Sequence, residues 1–275
     1  MIRQNLVAPP KANVLQQGYL LDGISLPDEQ RKSAIGVIIT AECDLKHSKA
    51  PFVNLVPAIP LTTWLEVDGA EVILERAESD LRETLITWLK KKDLDPVVLS
   101  VASAETVVRA HEPQVRDSDK TLIKAKLFDS LIMRNWPDVP GSTYRFCREN
   151  FGAIAKRVLG ELCENKVAGA HLFESLNPLQ PDVPYVCLLR QIYHVEAAAV
   201  AWILRGGIDR NAIGAFGLFS QLVDQTSDSP IQFVGRVLPP FREHFLQRLS
   251  STFTRIGVPD LTDVASAHIL SHAQL

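Results

Sequence analysis

AIGVIITAECDLKHSKAPFVNLVPAIPL, residues Ala34–Leu61, sets two apolar runs on either side of a polar connection. Ile35–Thr40 and Phe52–Ile59 are rich in Val and Ile, too short for ordinary helices and bounded by Gly, Ser and Pro. They read as two strands joined by a loop. That loop carries Cys43, Asp44, Lys46, His47 and Lys49. A thiol, a carboxylate, an imidazole and two ammonium groups beside a strand end make it the first candidate for a reactive or recognition tip.

Upstream, Gly18–Leu21 (GYLL) is a short strand signal, followed by the turn-prone tract Asp22–Ser33. Downstream, Trp64–Val67 and Glu71–Leu74 flank Asp68-Gly69-Ala70, which predicts a hairpin because Asp-Gly supplies the positive φ of a tight turn. Ser79–Lys92 follows as an amphipathic helix with Leu81, Leu85, Ile86 and Leu89 at helical spacing. Pro96–Val101 (PVVLSV) reads as a last strand. Residues 1–112 are thus expected to form a small barrel of short strands with one inserted helix.

From residue 113 to 275 the pattern predicts helices. They span Asp119–Met133, Tyr144–Asn165, Tyr185–Arg205, Ile213–Val223 and Phe241–Ile256. Tyr185–Arg205 is apolar over most of its girth and reads as the central helix of a bundle. Gly257 and Pro259 punctuate the end of the last helix. The expected class is α+β: a β-barrel domain, then an all-α domain. The boundary is placed at Glu112-Pro113, with the WPDVPGS tract at Trp136–Ser142 as the other natural break.

Composition narrows the function. Of 275 residues, 46% are hydrophobic and 22% charged, the balance of a globular protein. A formal net charge of −3 and a pI near 6.2 argue against a whole-surface grip on nucleic acid, though not against a local basic patch. No apolar window is long enough to span a bilayer, and Arg3, Pro9, Pro10 and Lys11 break any signal-peptide core, so a cytoplasmic protein without a membrane partner is expected. Cys43, Cys147, Cys163 and Cys187 lie far apart without a C-x-x-C, which fits reduced thiols and no metal site. The P-loop, Rossmann, nucleophile-elbow and zincin signatures are all missing, and no cofactor is expected.

Two groups of residues remain. Cys43, Asp44 and His47 could form a thiol nucleophile with its acid and base, because a thiol becomes reactive when a base or cation lowers its pKa. The simpler reading makes Asp44 a turn cap, Cys43 a rim residue and His47 a solvated side chain. On the last helix, His244, Arg248 and Arg255 recur at spacings of four and seven and share a face. Guanidinium groups on that face could bind phosphate oxygens bidentately; ion pairing on a solvated face is the plainer alternative. His194 reads as a core histidine.

The order GYLL, a polar tract with Arg31-Lys32-Ser33, GVIIT, a loop and FVNLVPAIPL resembles the first half of the SH3-like barrels of the PemK/MazF toxin family, over residues 15–65. Gly18-Tyr19 takes the place of that family's Gly-Asp, Arg31 falls near its catalytic Arg, and Gly36–Thr40 matches its apolar strand. The tract VGRVLPPFREHFLQRLSSTFTRIGVPD (Val234–Asp260), with the TAECD tip, is similar to uncharacterised bacterial proteins often encoded in mobile or phage-defence loci. These resemblances imply an SH3-like barrel in a binding or assembly component of a toxin–antitoxin or phage-defence system. Its partner would be another protein of that system or a nucleic acid, with homo-oligomerisation compatible. The alternative is an enzyme. A toxin-type ribonuclease would use Arg31 on the phosphate and His47 as proton carrier, and a thiol-dependent hydrolase would use Cys43.

Overall fold

The computed structural model describes residues 6–10, 14–28, 31, 33–47, 49–136, 141–206, 213–224, 227 and 230–254. The two apolar runs of the opening stretch are strands. These are β3 (Ala34–Ile38) and β4 (Phe52–Pro60), antiparallel, with Ile35 opposite Ala58 and Val37 opposite Val56. Their connection is a one-turn helix, α1 (Glu42–Lys46), rather than a plain loop. Glu42 and Asp44 in its first turn and Lys46 in its last complement the helix dipole, and Glu42 pairs with Lys46 at 3.6 Å.

Six further strands complete one antiparallel sheet: β1 (Val7–Ala8), β2 (Tyr19–Ile24), β5 (Ala170–Phe173), β6 (Tyr185–Leu188), β7 (Tyr193–Glu196) and β8 (Gln232–Val237). Their order is β1-β8-β2-β3-β4-β6-β5, with β7 also on β4, and the sheet curls into a half-barrel. Side chains alternate between two cores. Tyr19, Leu21, Ile38, Leu55 and Ile59 face one, and Leu20, Ile35, Val37, Val56 and Ala58 the other. Burial on both faces explains why these strands read as unbroken apolar runs.

The α+β class is as expected, but several elements are not. The hairpin around Asp68-Gly69 is one helical run: α2 (Leu61–Trp64), a π-turn (Leu65–Gly69) and α3 (Ala70–Lys91). Ile73, Ala77, Leu81, Leu85 and Leu89 bury a stripe of this helix, and that burial outweighs the local turn preference of Asp-Gly. The Pro96–Val101 strand is instead a turn and the short α4 (Val98–Val101), whose Val97 and Val101 flanks are exposed and have no sheet to join.

α5 (Ala104–His111), α6 (Lys120–Ile132), α7 (Ser142–Asn150) and α8 (Gly152–Cys163) follow. Asp119 caps α6, and Phe151 divides the helix expected over Tyr144–Asn165. The second half is not all helical, because β5 to β8 lie in it. Tyr185–Arg205 is β6, β7 and only then a helix, α9 (Ala197–Leu204). An apolar run does not by itself distinguish a buried strand from a buried helix, and here the open edge of β4 takes up the chain as strand. Among the described residues of the helix expected over Ile213–Val223, Ile213 is helical and a 3₁₀ turn covers Phe219–Leu222, with Gly214 and Gly217 between them. The last helix, α10 (Phe241–Thr254), packs Phe245 and Leu249 on the second face of the sheet. Its expected stop at Gly257 and Pro259 lies outside the described residues. No helix among the described residues is long and apolar enough to cross a membrane.

Candidate functional site

The tip residues do not converge on a catalytic arrangement. Cys43 is exposed and its thiol donates to Asp44 Oδ1 at 3.6 Å. Among the described residues, no side-chain hydrogen bond joins it to His47, whose backbone N–H closes the helix on Cys43 O. Lys49 N–H bonds Asp44 O, and Lys46 is held by Glu42. A thiol that donates to a carboxylate is the reverse of a thiolate beside a cation. The tip offers an exposed charged surface; Asp44 lies within α1, its carboxylate accepts from the Cys43 thiol, and no side-chain cap bond closes the helix.

Arg31 has a richer setting. Backbone bonds from Arg31 N–H to Asp28 O and from Leu26 N–H to Arg31 O close its tract into a turn. The guanidinium, mostly buried, donates from Nη2 to Asp68 Oδ1 at 2.7 Å and lies 3.2 Å from Asp28 Oδ2 through Nη1. Asp68 comes from the π-turn, where an added residue widens the helix; such turns recur at functional sites. Burial raises its carboxyl above the usual range, with Arg31 opposing that shift. Arg31 Nε and Asp68 Oδ2 are buried with no partner among the described residues.

This pair lines a cleft of about 290 Å³ together with Trp64, Glu71, Arg190 and Gln191. Arg190 arrives by a device of the sheet. Ala58 pairs with Cys187 and Leu55 with Tyr193, so residues 189–192 have no partner on β4 and interrupt the pairing there, with Leu189 buried and Arg190 exposed. Its side chain lies over Gly169, whose φ is +74° and where a Cβ would sit 3.1 Å from Arg190 Nε. Glycine there serves both the left-handed backbone and the close approach. Arg190 is exposed and forms no ion pair among the described residues, whereas Glu71 is tied to Arg134 by two bonds of 3.0 and 3.1 Å. Tyr193, on the strand after the interruption, is held above the usual phenol range by burial, with Arg31 close enough to oppose the shift.

On α10, His244 and Arg248 do share a face, while Arg255 lies outside the described residues. Arg248 Nη2 donates to Val167 O at 3.2 Å, and His244 stands edge-on to His171 of β5 with ring centroids 5.3 Å apart. Sequence reasoning missed His171 because it stands alone in an apolar tract; only strand pairing brings it to α10. His194 is not a core residue: it is exposed on β7, with Nδ1 2.7 Å from Asn54 Oδ1. Among the described residues no group of three His, Cys, Asp or Glu side chains converges as a metal site would require. Comparison of the chain with family models, curated proteins and solved structures finds no match.

Proposed function

We propose that this chain is a binding or assembly component of a bacterial phage-defence or toxin–antitoxin-like system, working in the cytoplasm. It recognises a protein or nucleic-acid partner with α1 and the Arg31 cleft. The system and the SH3-like identity of the half-barrel rest on the resemblance over residues 15–65 and Val234–Asp260. The preference for binding over catalysis rests on one observation: Arg31 carries two carboxylates, Asp68 at 2.7 Å and Asp28 at 3.2 Å. A guanidinium so neutralised is a poor stabiliser of a phosphoryl transition state, since its donors and charge are already engaged. Arg190, with no ion pair among the described residues, supplies the charge contact beside the Trp64 wall.

Expression of the wild type, Arg31→Ala and Cys43→Ala in bacterial cells tests this reading, together with co-expression of products of adjacent genes. All three forms are expected to be equally harmless alone. The complex with a neighbouring product is expected to weaken in Arg190→Glu. Cleavage of RNA by the purified wild type, abolished in Arg31→Ala, would establish the ribonuclease alternative instead.

A further inference from the structure

His171, His244 and Arg248 bring three nitrogen-donor side chains together where β5 meets α10. His171 is 2% exposed, packed against Phe173 and Phe245 at centroid distances of 4.6 and 5.5 Å, and its Nδ1 has no partner among the described residues. Arg248 Nε is likewise buried without a partner, although Nη2 is anchored on Val167 O. Among the described residues no carboxylate is hydrogen-bonded or ion-paired to any of the three. The charged groups acting on His171 are His244 and Arg248, and both disfavour its protonation. Buried polar groups ordinarily find partners, and here two, His171 Nδ1 and Arg248 Nε, have none among the described residues. An anion held by the cluster would supply acceptors to both.

We propose that His171, His244 and Arg248 form a binding site for a phosphate group. A tetrahedral phosphate presents acceptors in several directions, which suits donors arriving from a strand and from two successive turns of a helix. His171 acts as a neutral imidazole donating one N–H, and Arg248 supplies the charge. His244 is exposed and forms the outer wall. The site is separate from the Arg31 cleft and independent of the function proposed above, although Val167 belongs to both.

The test is calorimetric titration of the full chain at constant ionic strength with inorganic phosphate, adenosine monophosphate and acetate. Phosphate is expected to bind and acetate to bind far more weakly. Replacing one charge-assisted donor, in His244→Gln or Arg248→Gln, is expected to lower phosphate affinity about tenfold or more. His244→Gln alters an exposed side chain, so its unfolding midpoint without phosphate should match the wild type. Tighter binding of adenosine monophosphate than of phosphate would identify a nucleotide as the source of the group, and equal binding the free ion; either supports the site. Absence of phosphate binding, equal binding of acetate, or unchanged affinity in both variants would overturn it.

Discussion

Arg31 and Asp68 stand 37 residues apart in sequence, yet the Arg31 Nη2 to Asp68 Oδ1 hydrogen bond, at 2.7 Å, ties the turn before β3 to the π-turn before α3. The bond fixes one wall of the cleft. It also leaves two buried atoms, Arg31 Nε and Asp68 Oδ2, without partners among the described residues.

Arg31→Ala is expected to destabilise the fold by about 1–3 kcal/mol, because a largely buried carboxylate loses its charged donor. Arg31→Ala/Asp68→Ala should recover part of that loss, since it removes the stranded charge as well. A double-mutant cycle in urea measures the coupling; purely additive effects would show that the pair contributes nothing.

Gly69→Ala should destabilise where Gly160→Ala does not. A Cβ at Gly69 would lie 2.7 Å from Trp64 Cζ3, inside a packed core, whereas nothing stands within 4 Å of one at Gly160. Overpacking costs about 1–3 kcal/mol, while Gly→Ala in an open helix interior gains roughly 0.5–1 kcal/mol. Thermal midpoints of the two variants should therefore move in opposite directions.

His171 sets an acid limit. Burial, reinforced by His244 and Arg248, holds its imidazole down at about 3, against an ordinary value of 6.5. The folded state thus prefers the neutral ring. Its stability contribution is complete above pH 6.5 and is lost as the pH falls from there toward 3, by up to about 1.4 kcal/mol per pH unit. Urea denaturation of His171→Leu in phosphate-free buffer should show a flatter decline across that window than the wild type. Identical slopes would show that His171 does not titrate there.

Thiol labelling should divide the cysteines two and two. Cys43 and Cys163 are exposed, whereas Cys147 and Cys187 are buried, with burial pushing Cys147 up to about 12 and Cys187 up as well. Two thiols should react quickly in the native protein and two only on unfolding. Cys43 should react at the rate of an ordinary exposed thiol; a much faster rate would mark it as an activated nucleophile.

Some of this architecture was legible in the chain. β3 and β4 were, since short Val- and Ile-rich runs bounded by Pro and Ser leave little besides strands. So was α6, and so was the Phe-lined α10. Asp68-Gly69 misled because a turn preference worth a fraction of a kcal/mol competes with burial of a whole helical stripe. Tyr185–Leu188 misled because all four residues are buried, which leaves no alternation to separate strand from helix.

Arg31 could be singled out from the sequence, as could His244 and Arg248 on a common helix face. Their surroundings could not: Asp68, Arg190 and His171 reach them through a π-turn, an interruption in strand pairing and an edge strand. The sequence by itself determined an α+β chain, the central strand pair, the exposed charged tip and the apolar stripe of the last helix, because each follows from neighbours a few residues away. Only the tertiary structure decided that strands from both halves share one sheet, and which charged groups meet. Those outcomes depend on distant segments competing to cover the open edges and faces of β3 and β4.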